Sequence, residues 1–148
     1  LRKYVHRKRN SPFIYDLIVK PEHLPQFLPK IQKLIDEYKL DYTVQGHLGN
    51  WNFHIIPLMD LDSPYSADTI LELSKKIYSV VKEFNGSNSA EHNDGIIRTP
   101  FLLEQFGQNI VDLFQKTKDI FDPENIFNPG KKVGGTFDDI KKWILKKN

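Results

Sequence analysis

The stretch Gln45-Gly46-His47-Leu48-Gly49-Asn50-Trp51-Asn52-Phe53-His54-Ile55-Ile56 is predicted to form a β-hairpin that carries two histidines. The residues that lead into it alternate between apolar and polar, and its end is rich in aromatic and β-branched residues, as half-buried strands require. With a two-residue turn at 50–51, His47 and His54 would lie directly opposite each other, their Cβ atoms about 4.5–5.5 Å apart on one side of the sheet. Both imidazoles could then bind one metal ion.

A second polar segment, residues 87–95, has no helical or strand periodicity and is predicted to be a loop. It carries Glu91 and His92 side by side. If the fold brings the Glu91 carboxylate to His47 and His54, the result is a set of two histidines and one carboxylate with open coordination positions, which suits a catalytic metal site better than a structural one. The plainer alternatives are a chance pair of histidines in a hairpin and an exposed Glu-His pair in a loop.

The composition is that of one soluble globular domain: 148 residues, 39% of them hydrophobic and 27% charged. No apolar run approaches the ~18 residues of a membrane-spanning helix. The chain has no cysteine, which excludes disulfides, zinc ribbons and iron–sulfur ligation by this chain and fits a reducing, cytoplasmic setting. Because the chain starts at Leu1 without a signal peptide, we expect a piece of a longer polypeptide.

Basic residues crowd both ends of the chain, although the net charge is only +2. Such clusters can bind nucleic acid or an anionic membrane surface. No nucleic-acid signature accompanies them, so solvated termini are the favoured interpretation and no nucleic-acid partner is expected.

Hydrophobic periodicity predicts a strand over 13–19, a helix over 21–38 and the hairpin strands over 41–47 and 51–59. A second amphipathic helix is predicted between the start signals at 63–66 and the stop signal at Gly86. Further helices are expected from 99, broken near Gly107, and from 138, with a type II turn at 128–130. The order strand–helix–strand–strand–helix begins a split βαβ sandwich. The predicted fold class is α+β, over residues 1–148 as a single domain. It would have a ferredoxin-like antiparallel sheet with helices on one face and a C-terminal helical extension.

Four stretches spread over almost the whole chain carry a family resemblance: residues 16–24, 46–54, 90–92 and 121–131. In this order they resemble the C-terminal domain of FAD-linked oxidases of the D-lactate, glycolate and D-2-hydroxyglutarate dehydrogenase type, within the vanillyl-alcohol-oxidase superfamily. The resemblance implies a substrate (cap) domain that covers FAD held by a separate N-terminal FAD-binding domain. It also implies oxidation of a small D-2-hydroxy acid to the 2-oxo acid.

The resemblance assigns metal ligands to His47, His54 and Glu91, which in metal-containing members bind a divalent ion, usually zinc. It assigns His92 as the catalytic base, and an imidazole can accept a hydroxyl proton near neutral pH. An electron acceptor follows from the same resemblance: a quinone, an electron-transfer flavoprotein or an iron–sulfur partner, with peripheral association to the inner face of a membrane as a further expectation.

Four more residues receive roles from the resemblance. Asn52 would contact the substrate and Arg2 would pair with its carboxylate, while Asn128 and Lys131 would lie near the flavin. At 50–51 the sequence has Asn-Trp where the family pattern has Asp-Gly, which puts the identity of the substrate in question.

Two other functions stay open at this point. One is a flavin oxidase of the same superfamily that works without metal on phenolic or ether-lipid substrates. The other is a non-catalytic ferredoxin-like interaction domain with degenerate motifs. Metal analysis of the purified domain would separate them from the first hypothesis.

Overall fold

The structure, a computed structural model, describes residues 8–47 and 49–145. The strands among these residues are β1 (Arg9–Asn10), β2 (Tyr15–Ile18), β3 (Asp41–His47) and β4 (Asn52–Met59). The α-helices among them are α1 (Leu24–Glu37), α2 (Ser66–Glu83), α3 (Gly95–Arg98), α4 (Leu102–Phe106), α5 (Gln108–Phe121) and α6 (Phe137–Leu145). Short 3-10 helices, Pro21–His23 and Thr99–Phe101, lead into α1 and α4. The predicted break between α4 and α5 is confirmed at Gly107, where φ is +78°.

Strand β4 lies at the centre of the antiparallel sheet. It pairs with β3 along most of its length. Its other edge pairs with β2 at the beginning of β4 and with β1 at its end. An isolated bridge between Ile18 and Ser87 continues the sheet beyond β2 and anchors the start of the loop that was predicted over 87–95.

The core lies between one face of this sheet and helices α1 and α2. Helix α1 presents Phe27, Ile31 and Ile35 at helical spacing, and α2 presents a similar apolar stripe that includes Leu73 and Ile77. On β4 the alternation of a strand sends Ile55 and Met59 into this core and His54 to the opposite side. The α+β class with an antiparallel sheet is therefore confirmed, and the beginning of β4 presents Asn52 and His54 on the face opposite the core.

The predicted register of the hairpin is wrong by two residues. His47 lies opposite Asn52, and His54 lies opposite Gln45. The predicted two-residue turn is absent: β3 ends at His47 and β4 begins at Asn52, and the Asn50 N–H donates to the His47 carbonyl at 2.9 Å. Because side chains alternate with a period of two, a shift of two residues keeps both histidines on the same face, as diagonal neighbours.

Strand β3 is also more exposed than its apolar alternation predicts. It is a sheet edge, and Val44 is 50% exposed.

In the C-terminal part of the chain, the type II turn is confirmed, with the Lys131 N–H donating to the Asn128 carbonyl at 3.2 Å and Gly130 at φ +75°. Helix α6 returns to the core through Ile140. None of the helices in the described ranges is both long enough and apolar enough to cross a membrane.

Candidate metal centre

Three imidazoles converge on one carboxylate oxygen. The Oε1 atom of Glu91 lies 3.1 Å from Nε2 of His47, 2.8 Å from Nε2 of His54 and 2.9 Å from Nε2 of His92. These four residues, the histidine–glutamate cluster, come from the two hairpin strands and from the loop that follows α2. The structure thus brings together the three predicted metal ligands and the predicted base.

Burial differs across the histidine–glutamate cluster. His54 is buried, and the Tyr15 ring stacks on it with centroids 4.2 Å apart and planes 16° from parallel. Glu91, His47 and His92 are each roughly half exposed. The cluster is therefore buried on the side of His54 and open to solvent on the other side, where a small molecule can reach it.

The loop that supplies Glu91 is held by a buried carboxylate, Asp16. Its Oδ2 accepts hydrogen bonds from the backbone N–H groups of Ala90 at 2.9 Å and His92 at 3.0 Å. Its Oδ1 accepts one from the Glu91 N–H at 3.0 Å and one from Nδ2 of Asn52 at 3.0 Å. Three consecutive backbone amides and one side-chain amide thus surround a carboxylate that is 0% exposed.

Two opposing effects act on the pKa of Asp16. Burial raises it, but the hydrogen bonds from the loop amides and from Asn52 outweigh burial, so the pKa lies below its ordinary value. Asp16 therefore stays ionised at neutral pH.

One carboxylate oxygen each of Asp16 and Glu91 and one ring nitrogen each of His54 and His92 lie within 4.8 Å of one another. Because both Asp16 oxygens already accept amide hydrogen bonds, we assign Asp16 as an anchor and not as a metal ligand.

A buried arginine completes the support of the loop. Arg98 donates to the carbonyl oxygens of Tyr15 and Asn93, and its Nη2 lies 3.7 Å from Asp16 Oδ2. Neither Asp16 nor Arg98 was predicted from the sequence to have a role at the site. The available signal was an aspartate within the otherwise apolar run 13–19, a position where an unpaired charge is costly.

The donors of the histidine–glutamate cluster fit a divalent cation. A carboxylate oxygen has two lone pairs, whereas three ring nitrogens lie at hydrogen-bond distance from Glu91 Oε1. A cation between the nitrogens and the carboxylate would use all of these donors. Imidazole nitrogen and carboxylate oxygen are ligands of zinc and of other first-row divalent metals.

The remaining predicted residues lie elsewhere or serve other contacts. Asn52 lies beside the cluster, where its Nδ2 donates to Asp16 and to the Leu17 carbonyl, and its buried Oδ1 has no hydrogen-bond partner within the described ranges. Asn128 and Lys131 are on an exposed turn, and Lys131 Nζ donates to Asn128 Oδ1 at 3.0 Å. Arg2 lies outside the described residues.

The turn that carries Lys131 is nevertheless connected to the loop of the cluster. The next residue, Lys132, pairs with buried Asp94 at 2.6 Å, two positions beyond His92. Its backbone N–H donates to Thr99 Oγ1 at 2.8 Å. These contacts hold the predicted flavin-side turn against the segment that follows the cluster.

Known proteins match the chain over most of its length. A D-2-hydroxyglutarate dehydrogenase of Pseudomonas putida is 32% identical over 123 residues, which cover 83% of this chain and 12% of that protein. Another D-2-hydroxyglutarate dehydrogenase, of Stutzerimonas stutzeri, is 30% identical over 139 residues, covering 88% of this chain and 30% of that protein. The glycolate oxidase subunit GlcD of Escherichia coli is 32% identical over 127 residues, covering 84% of this chain and 26% of that protein.

The chain thus spans less than a third of the length of these relatives. The sequence profile of the family described as FAD linked oxidases, C-terminal domain, matches residues 1–132. That match covers most of the chain, including all four residues of the histidine–glutamate cluster. The chain therefore belongs to the family of C-terminal domains of FAD-linked oxidases.

Proposed function

We propose that this chain is the substrate domain of an FAD-dependent oxidoreductase that oxidises a D-2-hydroxy acid to the 2-oxo acid with the help of a divalent metal ion. The observation that supports the proposal is the convergence of His47, His54 and His92 on Glu91 Oε1. The names of the relatives supply the substrate class, because 2-hydroxyglutarate and glycolate share a hydroxyl group next to a carboxylate. Such a group can bind one cation through two oxygens.

In this proposal His47, His54 and Glu91 hold the metal, with zinc as the first candidate. The metal would supply a Lewis acid that binds the substrate oxygens and lowers the pKa of the hydroxyl group. FAD, held mainly by an N-terminal FAD-binding domain, would supply the two-electron acceptor for the substrate carbon.

The residues of this chain would bind and orient the substrate and move its proton. His92 Nε2 would take the proton of the substrate hydroxyl from its half-exposed position beside Glu91. Asn52 and Arg2 would orient the substrate, and Asn128 and Lys131 would face the flavin. The stacked Tyr15 ring would hold the plane of His54 fixed while substrate enters and leaves.

The wider setting of the enzyme belongs to the same proposal. A quinone, an electron-transfer flavoprotein or an iron–sulfur partner would reoxidise the flavin. The location would be cytoplasmic, with peripheral contact at the inner face of a membrane.

Zinc binding to the purified chain tests the metal centre. We expect one zinc ion per chain by equilibrium dialysis, and at least about tenfold weaker binding in His54→Ala, because a ligand is lost. His23→Ala is the matched control, since His23 lies at the start of α1 beside Phe84 and should leave zinc binding unchanged. If the wild-type chain binds neither zinc nor any other supplied divalent metal in stoichiometric amount, the metal centre is contradicted. That result would favour the metal-independent flavin oxidase.

A test of the role of His92 requires a protein that contains both this chain and its flavin domain. We expect His92→Ala to keep its metal and to lose about 10²–10⁴-fold in D-2-hydroxy acid turnover with an artificial electron acceptor. Loss of metal together with turnover would instead identify His92 as a ligand. Turnover at the wild-type rate would remove it from the mechanism.

A further inference from the structure

Asp16 reaches its buried position through an irregularity in strand β2. Tyr15 pairs with His54 and Leu17 with Phe53, so Asp16 is an extra residue in the register of β2 against β4. Its φ of +80° is in the left-handed region, a strained backbone conformation that residues other than glycine rarely adopt. A bulge redirects a side chain, and bulges are over-represented beside active sites. Here the bulge sends the carboxylate toward the histidine–glutamate cluster.

The contacts of Asp16 connect both parts of that cluster. On one side it binds the backbone of Ala90, Glu91 and His92. On the other side it binds the Asn52 amide, which lies opposite His47 and two residues before His54. Glu91 is therefore held by its backbone N–H at Asp16, while its side chain faces the imidazoles.

We infer that Asp16 is a positioning residue of the metal centre: its carboxylate sets the orientation of the Glu91–His92 backbone against the hairpin and thereby the affinity for the metal. This inference rests on the proposed function. Asp16 acts through Glu91, His92 and Asn52, because its own oxygens are occupied by amides.

Only an ionised carboxylate satisfies this environment. Four amide donors need acceptors on both oxygens, and an asparagine would place its own NH₂ group against backbone N–H donors. The Arg98 guanidinium, 3.7 Å away and also buried, provides the compensating positive charge. Asp16→Asn therefore removes the charge and one acceptor oxygen at nearly constant volume.

The test measures zinc affinity of the full chain by competition with a chromophoric chelator, in Asp16→Asn and in a matched control, Asp122→Asn. Asp122 is also a buried carboxylate that accepts two backbone N–H groups, those of Ile126 and Phe127. We expect about 10–100-fold weaker zinc binding in Asp16→Asn, as for other residues that orient metal ligands, and wild-type affinity in Asp122→Asn.

A second readout is hydrogen exchange of the backbone amides at 90–92 in the absence of metal. These amides should exchange faster in Asp16→Asn and at the wild-type rate in Asp122→Asn. If Asp16→Asn does not fold, Asn52→Ala replaces it, since it removes one donor to Asp16 and should weaken zinc binding about 5-fold, as expected for one hydrogen bond.

The outcomes separate the inference from the proposed function. A folded Asp16→Asn chain that binds zinc as tightly as the wild type would overturn the inference and leave the metal centre intact. Equal losses in Asp16→Asn and Asp122→Asn would overturn it as well, because the effect would then be general destabilisation. A wild-type chain that binds no metal contradicts the proposed function itself.

Discussion

At the scale of single residues, Arg98 shows how one side chain holds two segments together. Its planar guanidinium donates to Tyr15 on β2 and to Asn93 in the loop, and it balances the charge of Asp16. A lysine carries its charge on a single nitrogen and lacks the planar fork that reaches two separate carbonyl groups in fixed directions. An arginine therefore suits this position, where one side chain must bind carbonyl groups on two separate segments.

Arg98→Lys is therefore expected to lower the free energy of unfolding by about 1–3 kcal/mol, because at least one buried carbonyl loses its donor. Urea denaturation followed by circular dichroism measures this. Lys30→Arg is the control, since Lys30 pairs with Glu83 on the surface and should change stability by less than about 0.5 kcal/mol. Equal stability of Arg98→Lys and the wild type would show that the carbonyl contacts contribute nothing.

At the scale of elements, the hairpin depends on a close approach of β3 to β4. Gly46 lies opposite Phe53, and a Cβ at Gly46 would lie 2.1 Å from the backbone oxygen of Asn52. No side chain fits there without moving one strand away from the other. Because Asn52 also binds Asp16, the approach of these strands and the position of the loop are coupled.

Gly46→Ala should consequently destabilise the chain by about 1–3 kcal/mol, as is typical of overpacking. Gly49→Ala, in the loop of the same hairpin, has nothing within 4 Å of the added Cβ and should be nearly neutral. Thermal and urea unfolding of both variants provide the comparison. If the two variants are equally stable, β3 and β4 can move apart at Gly46 without a measurable loss of stability.

At the scale of the whole molecule, several carboxyl groups have pKa values below the ordinary value in the folded state. Asp16 is the most deeply buried of them, and Asp122 and Asp139 also accept hydrogen bonds from nearby donors. A carboxyl whose pKa is lower in the folded state binds fewer protons there than in the unfolded state. Its contribution to stability is present above the unfolded pKa and is lost as the pH falls through the folded pKa.

We therefore expect the free energy of unfolding, measured with a chelator present, to fall below about pH 4, near the ordinary pKa of an aspartate. In Asp16→Asn the free energy of unfolding should fall less steeply at acid pH, because one of the groups that takes up a proton on unfolding is absent. Urea denaturation at a series of pH values gives both slopes. Identical slopes at acid pH in the two proteins would mean that the pKa of Asp16 is the same in the folded and unfolded states.

Local sequence patterns were enough to predict helices α1 and α2, the two hairpin strands and the face on which the histidines lie, but not the short strand β1 or the short helix α3. Apolar periodicity is local, and a two-residue error in register does not change which side His47 and His54 occupy. The sequence also predicted that Glu91 and His92 lie side by side in one loop. The actual register and the contacts of Asp16 could be seen only in the folded chain, since the loop amides that Asp16 binds lie 74–76 positions away in sequence. A bulge and a carboxylate surrounded by distant amides arise from packing between segments, and no local pattern in the chain encodes such contacts.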